Sequence, residues 1–477
     1  MKKTIIAAIM TLICAALFAQ NAASDFTIGA DGVITKYNGW DTAVVIPETV
    51  NGIRVTAIGN NAFASNDLTS VIIPRGVTSI GREAFSPNKL TSVTIPDSVT
   101  SIGNSAFARN QLASVTIPGN GVTIGENAFA NNPLTSITLG SNHLFSDIIS
   151  LTVNNRRTTS SLFFDYVCND RKAGTYTTNR EMSFVEKSEA DFKYYETQYG
   201  AYISGYSGSS GNRLEIPSRL GGLAVKAIGV LSGISRVRIP DSVTYIGNSA
   251  FSNSRLTDVT FGNSILYIGN SAFRGSQLTN VTIPDSVTYI GNNAFYDNQL
   301  TSVTIGNSVT HIGNHVFSRN QLTSVTIGNS VTYIGQFAFV NNQLTSVTIP
   351  DSVTSIGESA FRSNKLTSVT IGNSVTYIGD GAFCYNQLTE ISIPNSVSHI
   401  GPSAFEGNRL TSVTIPNSVT YIGGGAFWFN QLLTSVTIGG NVAISDDTFP
   451  GYFQNAYNAN GKAAGTYVQS GGVWTKQ

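Results

Sequence analysis

A phenylalanine returns every 22 residues along most of this chain, and no other feature restricts the fold as tightly. The series runs Phe63, Phe85, Phe107, Phe129, and then Phe251, Phe273, Phe295, Phe317, Phe339, Phe361, Phe383, Phe405, Phe427 and Phe449. A fixed period of this size calls for stacked like units, each covering its neighbour's apolar face. A propeller blade needs about 40 residues, so the period selects a solenoid.

One unit is LTSVTIPDSVTSIGNSAFARNQ, residues 90–111. Leu90, Val93 and Ile95 point inward by alternation, and Ser92 and Thr94 outward. Pro96 ends the strand, as Gly306, Gly328 and Gly372 do in other units. Val99 and Ile102 turn back inward at spacing three, which suits a 3₁₀ or short extended segment. Gly103 breaks the path. Ala106-Phe107 is then expected to open a short helical turn, with Phe107 as the core plug. Burying one such ring contributes about 1.5–3 kcal/mol. Three residues past the ring stands an asparagine, from Asn66, Asn88, Asn110 and Asn132 to Asn298, Asn320, Asn342, Asn364, Asn386, Asn408 and Asn430. Its amide can satisfy turn backbone groups from coil to coil. Ser254 and Ser276 replace it, so this ladder should be weaker at the start of the second series.

A longer duplication contains the repeat. Asp25–Gly59 matches Asp191–Gly229 through Ile34/Ile203, Tyr37/Tyr206, Ile46-Pro47/Ile216-Pro217, Gly52/Gly222 and Val55/Val225. Each series also ends alike, in KAGTY at 172–176 and AAGTY at 463–467. An open solenoid end exposes core, so atypical ends read as caps. The chain therefore divides into a signal peptide (1–19), a first module of four full units with caps (20–187) and a second of ten units with caps (188–477). The signal peptide rests on Lys2-Lys3, the apolar run Thr4–Phe18 and the small Ala19. Ile13 before Cys14 argues against lipidation. No later apolar run is long enough to span a membrane.

The pattern L-x-x-V-x-I-P-x-S-V-T-x-I-G-x-x-A-F resembles the BspA-type, or treponemal-type, bacterial leucine-rich repeats. That family often carries Cys where Asn110 and its equivalents stand. The resemblance implies an α/β repeat solenoid, a right-handed coil with a parallel β-sheet on its concave face. It also implies a bacterial surface or secreted protein that binds host matrix proteins or other cells.

Lys plus Arg is 28 and Asp plus Glu is 28. Without Lys2 and Lys3 the basic count is 26. Charged residues make up 12%, about half the usual share. With no basic excess to neutralise phosphates, nucleic acid and other polyanionic partners are disfavoured. The three cysteines, Cys14, Cys168 and Cys384, form no C-x-x-C pair, and unpaired thiols are expected. His311 and His315 are four apart, but Gly313 interrupts any helix between them, and His399 lies four units away. There is no G-x-S-x-G, phosphate loop or H-E-x-x-H. No catalytic residue, metal or cofactor is expected. The irregular insert at 141–190 is the one place where an enzyme could hide.

Two surfaces could bind. The outward strand positions form a hydroxyl ladder: Ser302/Thr304, Ser324/Thr326, Ser346/Thr348, Ser368/Thr370 and Ser412/Thr414. The position before the recurring Ile-Gly forms an aromatic row: Tyr245, Tyr267, Tyr289, His311, Tyr333, Tyr377, His399 and Tyr421, with Ser355 as a gap. Its inward-facing neighbours suggest that this row faces outward. The first module has Ser79, Ser101 and Thr123 there, so the longer array should carry most binding. The residues after each ring vary from unit to unit and read as solvent-facing. The expected function is non-catalytic recognition of a protein or glycan, such as host extracellular matrix, outside the cell. A periplasmic or envelope scaffold is the alternative.

Overall fold

The computed structural model describes residues 21–118, 122–125, 127–140, 144–145, 174–177, 187–197, 199–208, 213–445 and 447–477. The export segment, Cys14, Cys168 and most of the insert at 141–190 lie outside them. The chain forms two compact units, Met1–Val185 with Thr197–Tyr199, and Glu186–Glu196 with Gly200–Gln477.

In the second unit each regular coil carries two short strands. One is the S-V-T segment, such as Ser302–Thr304. Val303 is buried between exposed Ser302 and Thr304, as the alternation requires. The other is the segment before the recurring glycine, such as Tyr289–Ile290. Both pair in parallel with the next coil at an offset of 22, Ser302 with Ser324 and Tyr267 with Tyr289. The Tyr-Ile strands join into one fifteen-stranded sheet that ends at Ala443–Ile444, while the S-V-T strands form shorter ladders. The parallel solenoid expected from the repeat is what forms, with two ladders per coil instead of one.

The rings run up the core as a continuous stack. Phe295, Phe317 and Phe339 are fully buried, with centroids 5.5 and 5.4 Å apart and planes within 15°. Stacking at coil spacing brings apolar burial and aromatic contact together. The helical turn expected at Ala106-Phe107 does not form. The Ala106 N–H donates to the Gly103 carbonyl (3.2 Å), and the Ala108 N–H to the Ser105 carbonyl (3.1 Å). Ser105 and Arg109, two residues either side of Phe107, both sit at φ +55°. A left-handed residue at each side makes two tight turns and stops a helix from propagating. Among the described residues, helix is confined to Ala23–Asp25 and Phe453–Ala459.

Coil spacing makes one glycine row obligatory. A Cβ on Gly291 would lie 2.6 Å from the backbone nitrogen of Asn270 and 2.7 Å from the carbonyl carbon of Gly269. Backbone of the preceding coil cannot yield as a flexible side chain could. Gly291→Ala should destabilise the second unit by about 1–3 kcal/mol, as overpacking does. Urea denaturation monitored by far-UV circular dichroism checks this. An unchanged midpoint would contradict the close approach.

The first unit repeats the scheme, with Phe63, Phe85, Phe107 and Phe129 stacked at 5.0–5.4 Å. The two units begin and end alike. Phe26 packs on Tyr37 at 5.5 Å, and Phe192 on Tyr206 at 5.0 Å. At the far ends, Gly174–Thr177 pairs antiparallel with Ser136–Leu139, and Gly465–Ser470 with Ser435–Ile438. The register is the same in both, Leu139 opposite Gly174 and Ile438 opposite Gly465. These are the two segments that share A-G-T-Y. An antiparallel strand laid on a parallel ladder blocks its growing edge. In the second unit Phe453 then packs against Phe449, Tyr467 and Trp474 and covers the last ring.

Candidate binding faces

The asparagine row is committed to structure. The Oδ1 of Asn342 accepts from the Leu322 N–H (3.0 Å), and its Nδ2 donates to the carbonyls of Phe317 (2.9 Å) and Phe339 (3.1 Å). Asn320, Asn364, Asn386 and Asn408 repeat this, each bridging two coils. Where serine stands, the ladder thins. Ser254 and Ser276 both donate to the Phe251 carbonyl, at 2.7 and 3.1 Å.

The hydroxyl ladder is different. Ser302, Thr304, Ser324, Thr326, Ser346, Thr348, Ser368 and Thr370 are all exposed. Among the described residues their hydroxyls make no side-chain hydrogen bond. The threonine just before each strand behaves otherwise: Thr323 donates to the Thr301 carbonyl (3.2 Å) and Thr367 to the Thr345 carbonyl (3.2 Å). Ser302 lies opposite Ser324 and Thr304 opposite Thr326, and likewise Ser346 opposite Ser368 and Thr348 opposite Thr370. The result is a lattice spaced about 4.8 Å between coils and about 6.6 Å along each strand. Each hydroxyl can donate and accept. Charge enters the same face only beyond this stretch, at Asp258 on one side and Glu390 on the other.

The aromatic row is only partly a surface. Tyr245, Tyr267 and Tyr289 are buried, at 4%, 2% and 7% exposure, which corrects the expectation that the whole row faces outward. Their rings stack face to face at 4.8 and 4.9 Å, so each covers the next. Past Tyr289 the run of tyrosine is broken by His311 and Ser355. His311, Tyr333 and Tyr421 are half-buried, and Tyr377 and His399 are exposed. The exposed part of the row is thus Tyr377 and His399, their centroids 6.5 Å apart, with the half-buried Tyr421 next to His399 at 5.5 Å.

Burial pushes the Tyr289 phenol up to about 12. The folded chain then holds this proton more tightly than the unfolded chain does. Its contribution is complete below about pH 10 and is lost as pH rises from about 10 to 12. Denaturant titrations across that window should show a loss of about 2–3 kcal/mol, and Tyr289→Phe should remove that step. An identical pH slope in the Phe variant would contradict the assignment.

The histidines serve other contacts. His311 Nδ1 lies 3.1 Å from Thr310 Oγ1, and His315 stacks on Phe337 at 4.7 Å. Burial lowers the pKa of both. Among the described residues no three His, Cys, Asp or Glu side chains are placed to hold a metal ion. Cys384 is a free thiol. The variable positions after each ring are mostly exposed, as at Arg274, Arg319 and Arg362. Val340 and Cys384 are exceptions, at 8% and 2% exposure.

Sequence reasoning missed a pair of clefts at the first strand exit of each unit. One, of about 520 Å³, is lined by Val45, Ile46, Ile72 and Pro74. The other, of about 550 Å³, is lined by Glu215, Ile216, Arg238 and Pro240 at matching positions. The duplication predicts their shared location, while Glu215 and Arg238, standing where the first cleft has Val45 and Ile72, make the second more polar.

Comparison with known proteins agrees with this architecture. The family model for the BspA type leucine-rich-repeat region matches in six copies, over residues 42–154, 229–345 and 332–454. A leucine-rich cell surface protein of Faecalibacterium prausnitzii A2-165 is 26% identical, covering 55% of this chain and 91% of its own, at a TM-score of 0.32. The T. pallidum leucine-rich-repeat protein is also 26% identical, covering 42% and 88%, at 0.31. A leucine-rich-repeat protein of Bacteroides ovatus ATCC 8483 is 21% identical, covering 54% and 95%, at 0.23. No curated protein matches the chain. Among the described residues no helix is long and apolar enough to cross a membrane.

Proposed function

The chain belongs to the BspA-type leucine-rich-repeat family, and from that premise we propose that it is a non-catalytic recognition protein of the bacterial exterior. It binds a protein or glycan, host extracellular matrix included, at the cell surface or after release. One observation carries the reading. Eight strand hydroxyls on four successive coils are exposed, in register within each paired set of two coils and unused by the fold, while threonines next to them are consumed by it. Such a face offers many equal, weak contacts, and a partner with repeated polar groups gains by engaging several at once. The exposed Tyr377 and His399, with the half-buried Tyr421 beside them, add aromatic contacts of the kind enriched at binding surfaces.

Protease shaving of intact cells, followed by immunodetection, tests the location. Loss of signal without lysis supports exterior display, and protection until the envelope is opened overturns it in favour of a scaffold. A screen against matrix proteins and glycans then tests the face. Ser302→Ala, Ser324→Ala, Ser346→Ala and Ser368→Ala together should weaken capture while leaving the melting temperature nearly unchanged. Undiminished capture would remove this face from the reading.

A further inference from the structure

Zero net charge conceals a sorted surface. Between residues 241 and 445 there are six basic residues: Arg255, Arg274, Arg319, Arg362, Lys365 and Arg409. Every one lies within four residues after a ladder phenylalanine, on the edge formed by the tight turns, and every one is exposed. Of the nine acidic residues in the same span, only Asp297 and Glu406 lie within four residues after a ring, while Glu358 and Asp380 lie three residues before one and the other five stand farther around the coil.

The fourth position after the ring is the most selective. In the second unit it holds Arg255, Lys365 and Arg409 with six glutamines between and beyond them, from Gln277 to Gln431. All nine side chains can donate hydrogen bonds and none is a carboxylate. None of the six cations is in an ion pair among the described residues. In the first unit the corresponding row is neutralised internally, Lys89 meeting Asp67 at 3.0 Å.

Part of the basic edge is already held in place. Arg274 and Arg319 lie over the Tyr296 ring, at 5.1 and 5.7 Å from its centroid, and Arg362 lies over Tyr385 at 5.3 Å. A guanidinium packed on an aromatic face keeps its charge and its donors while losing freedom, so less ordering remains at binding.

From these observations we infer that the turn edge of the second unit binds an acidic polysaccharide lying along the solenoid axis. Nine coils span about 38 Å at strand spacing, and the six cations fall one or two to a coil with empty coils between. That density suits a chain bearing a carboxylate or sulfate every sugar or two, with glutamine amides meeting the intervening hydroxyls. Duplex DNA carries a charge every ~1.7 Å of axis and is a poor match for so sparse a row. This edge is distinct from the strand hydroxyl face, so the two readings fail independently.

The test uses the full chain with heparin, hyaluronan, neutral dextran and duplex DNA as probes, at low and physiological salt. Heparin tests sulfate and hyaluronan tests carboxylate alone. Salt-sensitive binding to either one, with dextran and DNA binding at least about tenfold more weakly, is expected. The combined variant Arg274→Gln, Arg319→Gln, Arg362→Gln and Lys365→Gln should weaken that binding at least about tenfold. Gln299→Glu with Gln321→Glu removes no basic residue, adds two carboxylates to the row, and should weaken it as well. The four-serine variant of the hydroxyl face should bind these probes as wild type does. Absence of binding to both acidic glycans, equal or tighter binding of DNA, or undiminished binding by the two edge variants would overturn the proposal.

Discussion

Phe317→Ala is expected to cost the second unit about 3–5 kcal/mol, the range seen when a large buried ring is truncated. Phe317 is fully buried and stacks on Phe295 and Phe339, so its removal leaves a void with an aromatic ring above and below. The backbone pairing survives, because the Phe317 N–H donates to the Ala338 carbonyl whatever the side chain (2.8 Å). The loss is therefore one of packing alone. Each coil touches only its neighbours, so the void weakens one joint in a row and does not spread evenly. Equilibrium urea denaturation should show a lower midpoint, with the single transition separating into two. A shift worth less than about 1 kcal/mol would mean that the ring stack contributes little.

Asn342→Ala should have a comparable effect by a different route. The variant strands the Leu322 N–H and removes one donor each from the carbonyls of Phe317 and Phe339. Leaving a buried polar group without its partner costs about 1–3 kcal/mol, so a total near 3 kcal/mol or more is expected. Asn342→Ser provides a graded control. At Ser254 and Ser276 a hydroxyl replaces the amide and bonds the Phe251 carbonyl, so serine restores one contact of the three. The stability order should be Asn above Ser above Ala. Equal stability of all three would show that the amide ladder does not hold the coils together.

Much of this was legible in the residues. The ring period set the coil length, alternation placed Val303 inside and Thr304 outside, and the shared A-G-T-Y segments marked two ends that close in the same register. What escaped depended on distances across coils. Tyr245, Tyr267 and Tyr289 stand where an outward side chain is expected, yet the coil pitch equals the stacking distance of aromatic rings, so three in succession bury one another. The extra Leu432 was also silent in the ring spacing, because Phe427 and Phe449 remain 22 apart. In the fold Ser412 pairs with Ser435, one residue late, and Leu432 is pushed out to 58% exposure. Total charge is silent on placement for a simpler reason: a sum over 477 residues carries no position.

The identical closing registers at Gly174–Thr177 and Gly465–Ser470 have a genetic consequence. Four ring units precede one clasp and ten precede the other, so the clasp does not sense how many coils it ends. Gain or loss of a 66-nucleotide segment, which encodes one 22-residue unit, keeps the reading frame and changes molecular reach by about 4.8 Å. Near-identical units in tandem favour such unequal exchange. A lineage carrying this gene can therefore vary the length of its solenoid in single steps, while the closing ends stay the same.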